Sequence, residues 1–236
     1  AANQVNTSVI RALVDYLLGK GVDGFYICGT TGEGVYMSRD ERMWVAETVI
    51  DQVNGRCPVI VHVGSMVAVD AIALAAHAQQ IGAAGISSII PPGYARLNDL
   101  QTYFESVAAA APQLPFLPYL INVQIDAVAF VRRLLHIPNL AGTKYTGANI
   151  FEMRTLIEIG ADRAHWSVFS GMDEQSILAA LFGSCGHIGS TLNLMPGVYQ
   201  RIRHCYLDGD VLQARDWQLK VNKVTQVMTD AGFEAA

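Results

Sequence analysis

Two hydrophobic periods alternate along this chain, and the alternation constrains the fold more than any other feature. Residues 8–18 place Ile10, Leu13, Val14 and Leu17 at helical spacing, closed by Gly19 and Gly21. A short apolar run at 25–28 leads into the turn Gly29-Thr30-Thr31-Gly32-Glu33. Ser38 followed by Glu41 marks the capped start of a helix that continues through Trp44, Val45 and Val49 to Asn54-Gly55. Strand-like runs recur at 59–63, 86–90, 116–121, 141–145, 166–170 and 187–190. Helical stretches lie between and after them at 68–81, 100–111, 127–135, 150–159, 174–182 and 197–206. The result is seven β-α units with connections of ordinary length. Neither a GxGxxG nor a GxxxxGK[ST] loop interrupts them, so the order predicts a (β/α)8 barrel rather than a doubly wound nucleotide-binding sheet.

The first recognisable element is a helix. The barrel's opening strand is therefore expected to be missing from these 236 residues rather than from the fold, and the chain is expected to be part of a longer one. No linker or low-complexity segment breaks the pattern, which predicts a single domain over 1–236. With 51% hydrophobic and 16% charged residues the chain can bury a large core. A net charge of −5, with its 16 Lys and Arg scattered, excludes a nucleic-acid surface, and no apolar run nears the ~20 residues of a membrane span. A cytoplasmic protein is expected. Cys28, Cys57, Cys185 and Cys205 form no CxxC pair and are expected to be reduced core thiols.

A barrel gathers its active site from the C-terminal ends of its strands and the loops that follow. Counting the missing strand as the first, the second delivers Thr30, Thr31 and Glu33, and the third His62, Gly64 and Ser65. The fifth brings Tyr119, the sixth Lys144 and Thr146, the seventh Asp173 and Glu174, and the eighth Gly189, Ser190 and Thr191. Lys144 carries the sharpest chemistry, because an amine among apolar neighbours loses solvation, its pKa falls, and it becomes a nucleophile able to form a Schiff base. Its bland alternative is a strand-end lysine whose head reaches water. His62 is expected to be a satisfied structural histidine.

The motifs Gly29-Thr-Thr-Gly-Glu33, Tyr119, Gly-Thr-Lys144, Gly171-Met-Asp-Glu174 and Ile188-Gly-Ser-Thr-Leu-Asn193 occur in that order along nearly the whole chain. Together they resemble the pyruvate-dependent class I aldolases of the N-acetylneuraminate lyase and dihydrodipicolinate synthase family. The resemblance implies that Lys144 forms an imine with the keto carbon of pyruvate or of a 2-keto sugar acid. It implies that Tyr119 shuttles protons, that Thr30 hydrogen-bonds that tyrosine, and that Thr31 with the amides of the Thr-Thr-Gly32 turn cradles the substrate carboxylate. Thr146, Gly171, Asp173, Glu174, Gly189 and Ser190 match positions that contact the sugar chain. A homotetramer acting on a small-molecule substrate is implied, with no cofactor and no metal, since no His and carboxylate cluster of ligand spacing stands at the strand ends.

Within the family, a synthase would carry an arginine shortly after the catalytic tyrosine, whereas Tyr119 precedes Leu-Ile-Asn-Val-Gln. Paired acids at 173 and 174 suit a polyhydroxylated substrate, because carboxylates accept several hydroxyls. The lyase branch is therefore expected, cleaving N-acetylneuraminate to pyruvate and N-acetylmannosamine. A dihydrodipicolinate synthase, another 2-keto-3-deoxy sugar-acid aldolase and an inactive ligand-binding barrel stand as alternatives. The chain departs from the family pattern in its missing first strand and in a short loop after Tyr119 without the usual Ile-Pro turn. The helices that follow the barrel are expected to be absent beyond Ala236. Tyr94, in another short loop, is a candidate for the tyrosine that the family lends to a neighbouring subunit.

Overall fold

The computed structural model describes residues 5–94, 96–121 and 125–232. Two compact units are found, residues 1–143 and 144–236. The first runs α1 (Thr7–Gly19), β1 (Phe25–Ile27), a 3-10 turn at Gly34–Tyr36, α2 (Arg39–Val53), β2 (Val59–His62), α3 (Ala68–Gln80), β3 (Gly85–Ile89), α4 (Leu97–Ala110), β4 (Phe116–Ile121) and α5 (Ala127–Leu134). β5 (Gly142–Thr146) begins where this unit ends.

Strands β1 to β4 pair in chain order and in parallel, with Phe25 opposite Val59, Ile60 opposite Gly85 and Ile86 opposite Phe116. A parallel neighbour cannot be reached by a tight turn, so each pair is bridged by the helix between its strands. The α2 cap forms as its sequence predicts. Ser38 Oγ accepts from the Glu41 amide and the Glu41 carboxylate accepts from the Ser38 amide. Core packing joins Val14 of α1 to Val45, Val49 and Val53 of α2 and to Val59 of β2. Under α4 and α5, Phe104 packs ring to ring against Phe116 and Phe130, all three excluded from solvent.

The second unit contains α6 (Ile150–Ile159), β6 (Ser167–Ser170), a 3-10 turn at Asp173–Gln175, α7 (Ser176–Leu181), β7 (Gly186–His187), a 3-10 turn at Thr191–Asn193, α8 (Pro196–Leu207) and α9 (Val211–Asp230). β6 and β7 are parallel, Phe169 opposite Gly186. Ile177, Tyr199, Ile202, Cys205, Ala214 and Val221 make its core.

Most predicted bounds hold to within three residues, and two differences have physical causes. β7 stops at His187 although a run to 190 is predicted, because Gly189 turns in against the side chain of Asp173. The 20-residue helix α9 follows the last helix predicted from sequence. Its buried face is Ala214, Gln218, Val221 and Thr225, half of it polar, so no apolar stripe announces it. Gln218 is buried for its hydrogen bonds: Oε1 accepts from the Ile177 amide, and Nε2 donates to the carbonyl of Asp173. All four cysteines are free, but only Cys28 and Cys205 are buried. Cys57 is half-buried and Cys185 exposed, which corrects the expectation of core thiols for those two. Among the described residues no helix is long and apolar enough to cross a membrane.

Candidate active site

Lys144 lies in the middle of β5, where residues 142–145 are buried without a break. Only 7% of it is exposed. Burial pulls its amine down to about 8 from the ordinary lysine value, and the negative charge of Asp173 pulls back only in part. Lys144 and Thr146 share one face of the strand, and both abut Gly171 just past β6. A Cβ at Gly171 would collide with Thr146 Oγ1 and press on Lys144 Cε, so glycine there is what lets the amine and the hydroxyl stand side by side. Thr146 Oγ1 is buried and has no hydrogen-bond partner among the described residues. Tyr145, pointing the other way, donates to Glu152 Oε2 at 2.5 Å and ties the loop after Lys144 to α6. Gly147 leaves room for the Tyr145 hydroxyl.

Asp173 and Glu174, paired in the sequence, have different fates. Asp173 is buried, and His187 Nε2 lies 2.7 Å from its Oδ1. Its Oδ2 accepts from the Thr191 amide at 2.8 Å and from Thr191 Oγ1 at 2.6 Å. Having spent its proton there, the Thr191 hydroxyl accepts from Tyr199 Oη at 2.6 Å. Tyr199 also stacks on His187, ring centroids 5.4 Å apart and planes within 9°. Burial pushes the Asp173 carboxyl up, but the His187 and Thr191 interactions outweigh it and hold the group below its usual range. A Cβ on Gly189 would strike Asp173 Oδ1. Glu174 is exposed, and its carbonyl accepts from Asn222 Nδ2. Ser190, half-buried, opens the 3-10 turn that carries Thr191.

The Asp173 network carries a prediction with a definite sign. Asp173→Asn keeps the size but removes the charge that raises the Lys144 pKa, so the pH midpoint for amine reactivity should move below about 8. The Asn amide must also face a donor from His187 or Thr191, which should lower unfolding stability by about 2 kcal/mol or more. A reductive-trapping pH profile and a urea titration check both effects. An unmoved midpoint would separate Asp173 from the amine.

In the first unit, the turn after β1 is built on two left-handed residues, Cys28 at φ 56° and Glu33 at φ 52°. Glu33 N–H donates to Thr30 O and Gly34 N–H to Gly29 O, which closes the turn on itself. Thr30, Thr31 and Gly32 stand exposed on it. Tyr119 on β4 is buried, its ring edge-on to Tyr26 at 6.1 Å and to His62 at 6.2 Å. Tyr26 donates to Ser87 Oγ at 2.9 Å, and burial pushes its phenol well above the normal range. His62, set aside in the sequence as structural, is indeed engaged at both ring nitrogens, with Cys28 O and the Ile89 amide.

Thus Lys144, Thr146 and Gly171 meet around the amine, and Asp173 and Gly189 meet in the second cluster. Tyr119 meets two aromatic rings. Tyr94 is half-buried against Tyr103, 5.4 Å between centroids. Residues 122–124 of the loop after Tyr119, predicted to be short, fall outside the described residues. Sequence reasoning missed His187, Tyr199 and Arg42. A histidine two residues before Gly189 was visible, but only the folded distance to Asp173 gives it meaning.

Repeating parallel strand-helix units with a desolvated amine buried in the middle of a strand point to the class, an α/β-barrel carbon-carbon lyase of the Schiff-base kind. The chain belongs to the dihydrodipicolinate synthetase family, whose model matches residues 1–235. Among curated proteins it is 34% identical to the N-acetylneuraminate lyase of Danio rerio over all of this chain and 80% of that protein. It is 30% identical to that of Rhizobium meliloti over 97% of this chain and 76% of that one. Among solved structures, N-acetylneuraminate lyase from Aliivibrio salmonicida superposes with a TM-score of 0.91 at 29% identity, covering 98% of this chain and 79% of its own. A prophage protein of the dihydrodipicolinic acid synthase family from E. coli K12, in complex with pyruvate, gives 0.90 at 30% identity, covering 97% and 79%. The predicted α/β-barrel fold is therefore the fold of the family.

Proposed function

We propose that this chain cleaves a 2-keto sugar acid, N-acetylneuraminate, to pyruvate and N-acetylmannosamine through an imine on Lys144. The observation that carries the reading is the buried Lys144 amine, drawn to about 8. At pH 7 about one such amine in ten is free, against about one in three thousand for a lysine at 10.5, a gain of about 300-fold in nucleophile. The free amine adds to the keto carbon and water leaves. The iminium then accepts the electron pair of the carbon-carbon bond as that bond breaks. In this reading Tyr119 takes the proton from the hydroxyl of the departing aldehyde and returns one to the enamine carbon, and Thr30 serves as its hydrogen-bond partner, as the family resemblance implies. Thr31 and the Gly32 turn hold the carboxylate, and Thr146 Oγ1, buried and without a partner among the described residues, supplies a hydrogen bond to substrate. Gly171, Gly189 and Ser190 shape the sugar end.

Glu174, exposed, is the carboxylate of the pair that remains open to substrate hydroxyls, while Asp173 holds the pocket wall. Glu174→Ala should lower kcat/KM for N-acetylneuraminate by about 1–3 kcal/mol, the size of an unpaired polar contact, and leave trapping of pyruvate alone unchanged. A single barrel domain, a homotetramer and a cytoplasmic location belong to the same proposal. The deciding assay supplies N-acetylneuraminate and follows both products, beside pyruvate with aspartate semialdehyde. Condensation of the second pair without cleavage of the first would move the reading to the synthase.

A further inference from the structure

We propose that Arg42 and His62 form a buried clasp that positions the turn at 29–34, and that this pair sets the affinity for a keto-acid carboxylate. The inference rests on the proposed function and deepens it, because neither residue is among those assigned to the substrate. Arg42 reaches from α2 with only 4% exposure. Its Nη1 donates to Gly64 O at 2.8 Å and its Nη2 to His62 O at 2.5 Å, just past and at the end of β2. Among the described residues it forms no salt bridge, and its Nε is buried without a partner. Two carbonyls hold the guanidinium directly and the Asp70 carboxylate acts on it only from a distance, and in a buried setting its positive charge acts over a longer range than it would in water.

His62 transmits the placement to the turn. Ile89 N–H donates to Nε2 at 3.0 Å, so Nε2 must be bare and the proton must sit on Nδ1. Nδ1–H then donates to Cys28 O at 3.1 Å. That carbonyl is the foot of the turn on both sides: Cys28 enters it in the left-handed conformation, and Gly34 leaves it so close that a Cβ would collide with the same oxygen. Moving the Cys28 carbonyl therefore moves every amide of the Thr30-Thr31-Gly32 segment that could aim at an anion.

The test is a pyruvate titration of reductive trapping on the purified full chain. His62→Leu removes donor and acceptor together and should raise the half-saturating pyruvate concentration about tenfold, with the saturated trapping rate unchanged. His62→Gln, whose amide offers one donor and one acceptor, should recover most of that. Arg42→Lys keeps the charge but spans one carbonyl instead of two, and should raise half-saturation several-fold. A folded His62→Leu that titrates like the parent overturns the clasp, as does a variant that loses only its saturated rate. If His62→Leu does not fold, Arg42→Lys decides, and parental half-saturation there overturns it. A parent that forms no adduct at all would instead remove the proposed function.

Discussion

Lys144→Ala should abolish turnover, a fall of about 10⁴-fold or more, while the melting temperature stays close to that of the parent. The two halves of this expectation come from the same desolvation. An amine at about 8 in the fold and 10.5 unfolded binds fewer protons when folded, so between those values stability rises with pH. Below about 8 the full burden remains, on the order of 3 kcal/mol. Removing the side chain relieves that burden and loses the packing of its buried stem, effects of similar size and opposite sign. Steady-state kinetics with thermal unfolding checks the pair. A large stability loss with surviving turnover would make Lys144 an ordinary strand residue.

Tyr119→Phe should reduce turnover by about 10²–10⁴-fold, the usual size of a lost proton-transfer group, with unfolding stability changed by at most about 1 kcal/mol. The ring stays, and the ring is what packs edge-on against Tyr26 and His62. Only the hydroxyl goes. Single-turnover measurements should place the loss in steps after substrate binding. If turnover is unchanged and stability collapses, Tyr119 belongs to the core alone.

What could be read from the residues alone followed from local physics. Period-2 and period-3.6 runs fixed seven strands and eight helices because each element buries one face in chain order, and the Ser38-Glu41 box capped α2 where its spacing said it would. Lys144 was legible because its apolar neighbours are its own strand. The rest depended on distance in space. The buried face of α9 is half polar because Gln218 reaches the carbonyl behind Asp173, 45 residues earlier. Asp173 and Glu174 are adjacent in sequence but sit on a 3-10 turn, whose successive side chains diverge by about 120°, so one is buried on His187 and the other faces solvent. Arg42 is one of four charged residues in a row at the start of α2, 39–42, and nothing local says that it is buried against Gly64 and His62.

The central claim is that Lys144 is a free, desolvated amine that forms an imine with a 2-keto acid, and mass spectrometry after reductive trapping tests it most directly. Intact protein incubated with pyruvate and cyanoborohydride across a range of pH should gain one pyruvate-derived adduct. Peptide mapping should place it on Lys144, with a trapping rate that is half-maximal near pH 8 and levels off above it. An adduct on Lys20, Lys220 or Lys223, or a rate still climbing toward pH 10.5 as an exposed lysine's does, would contradict it.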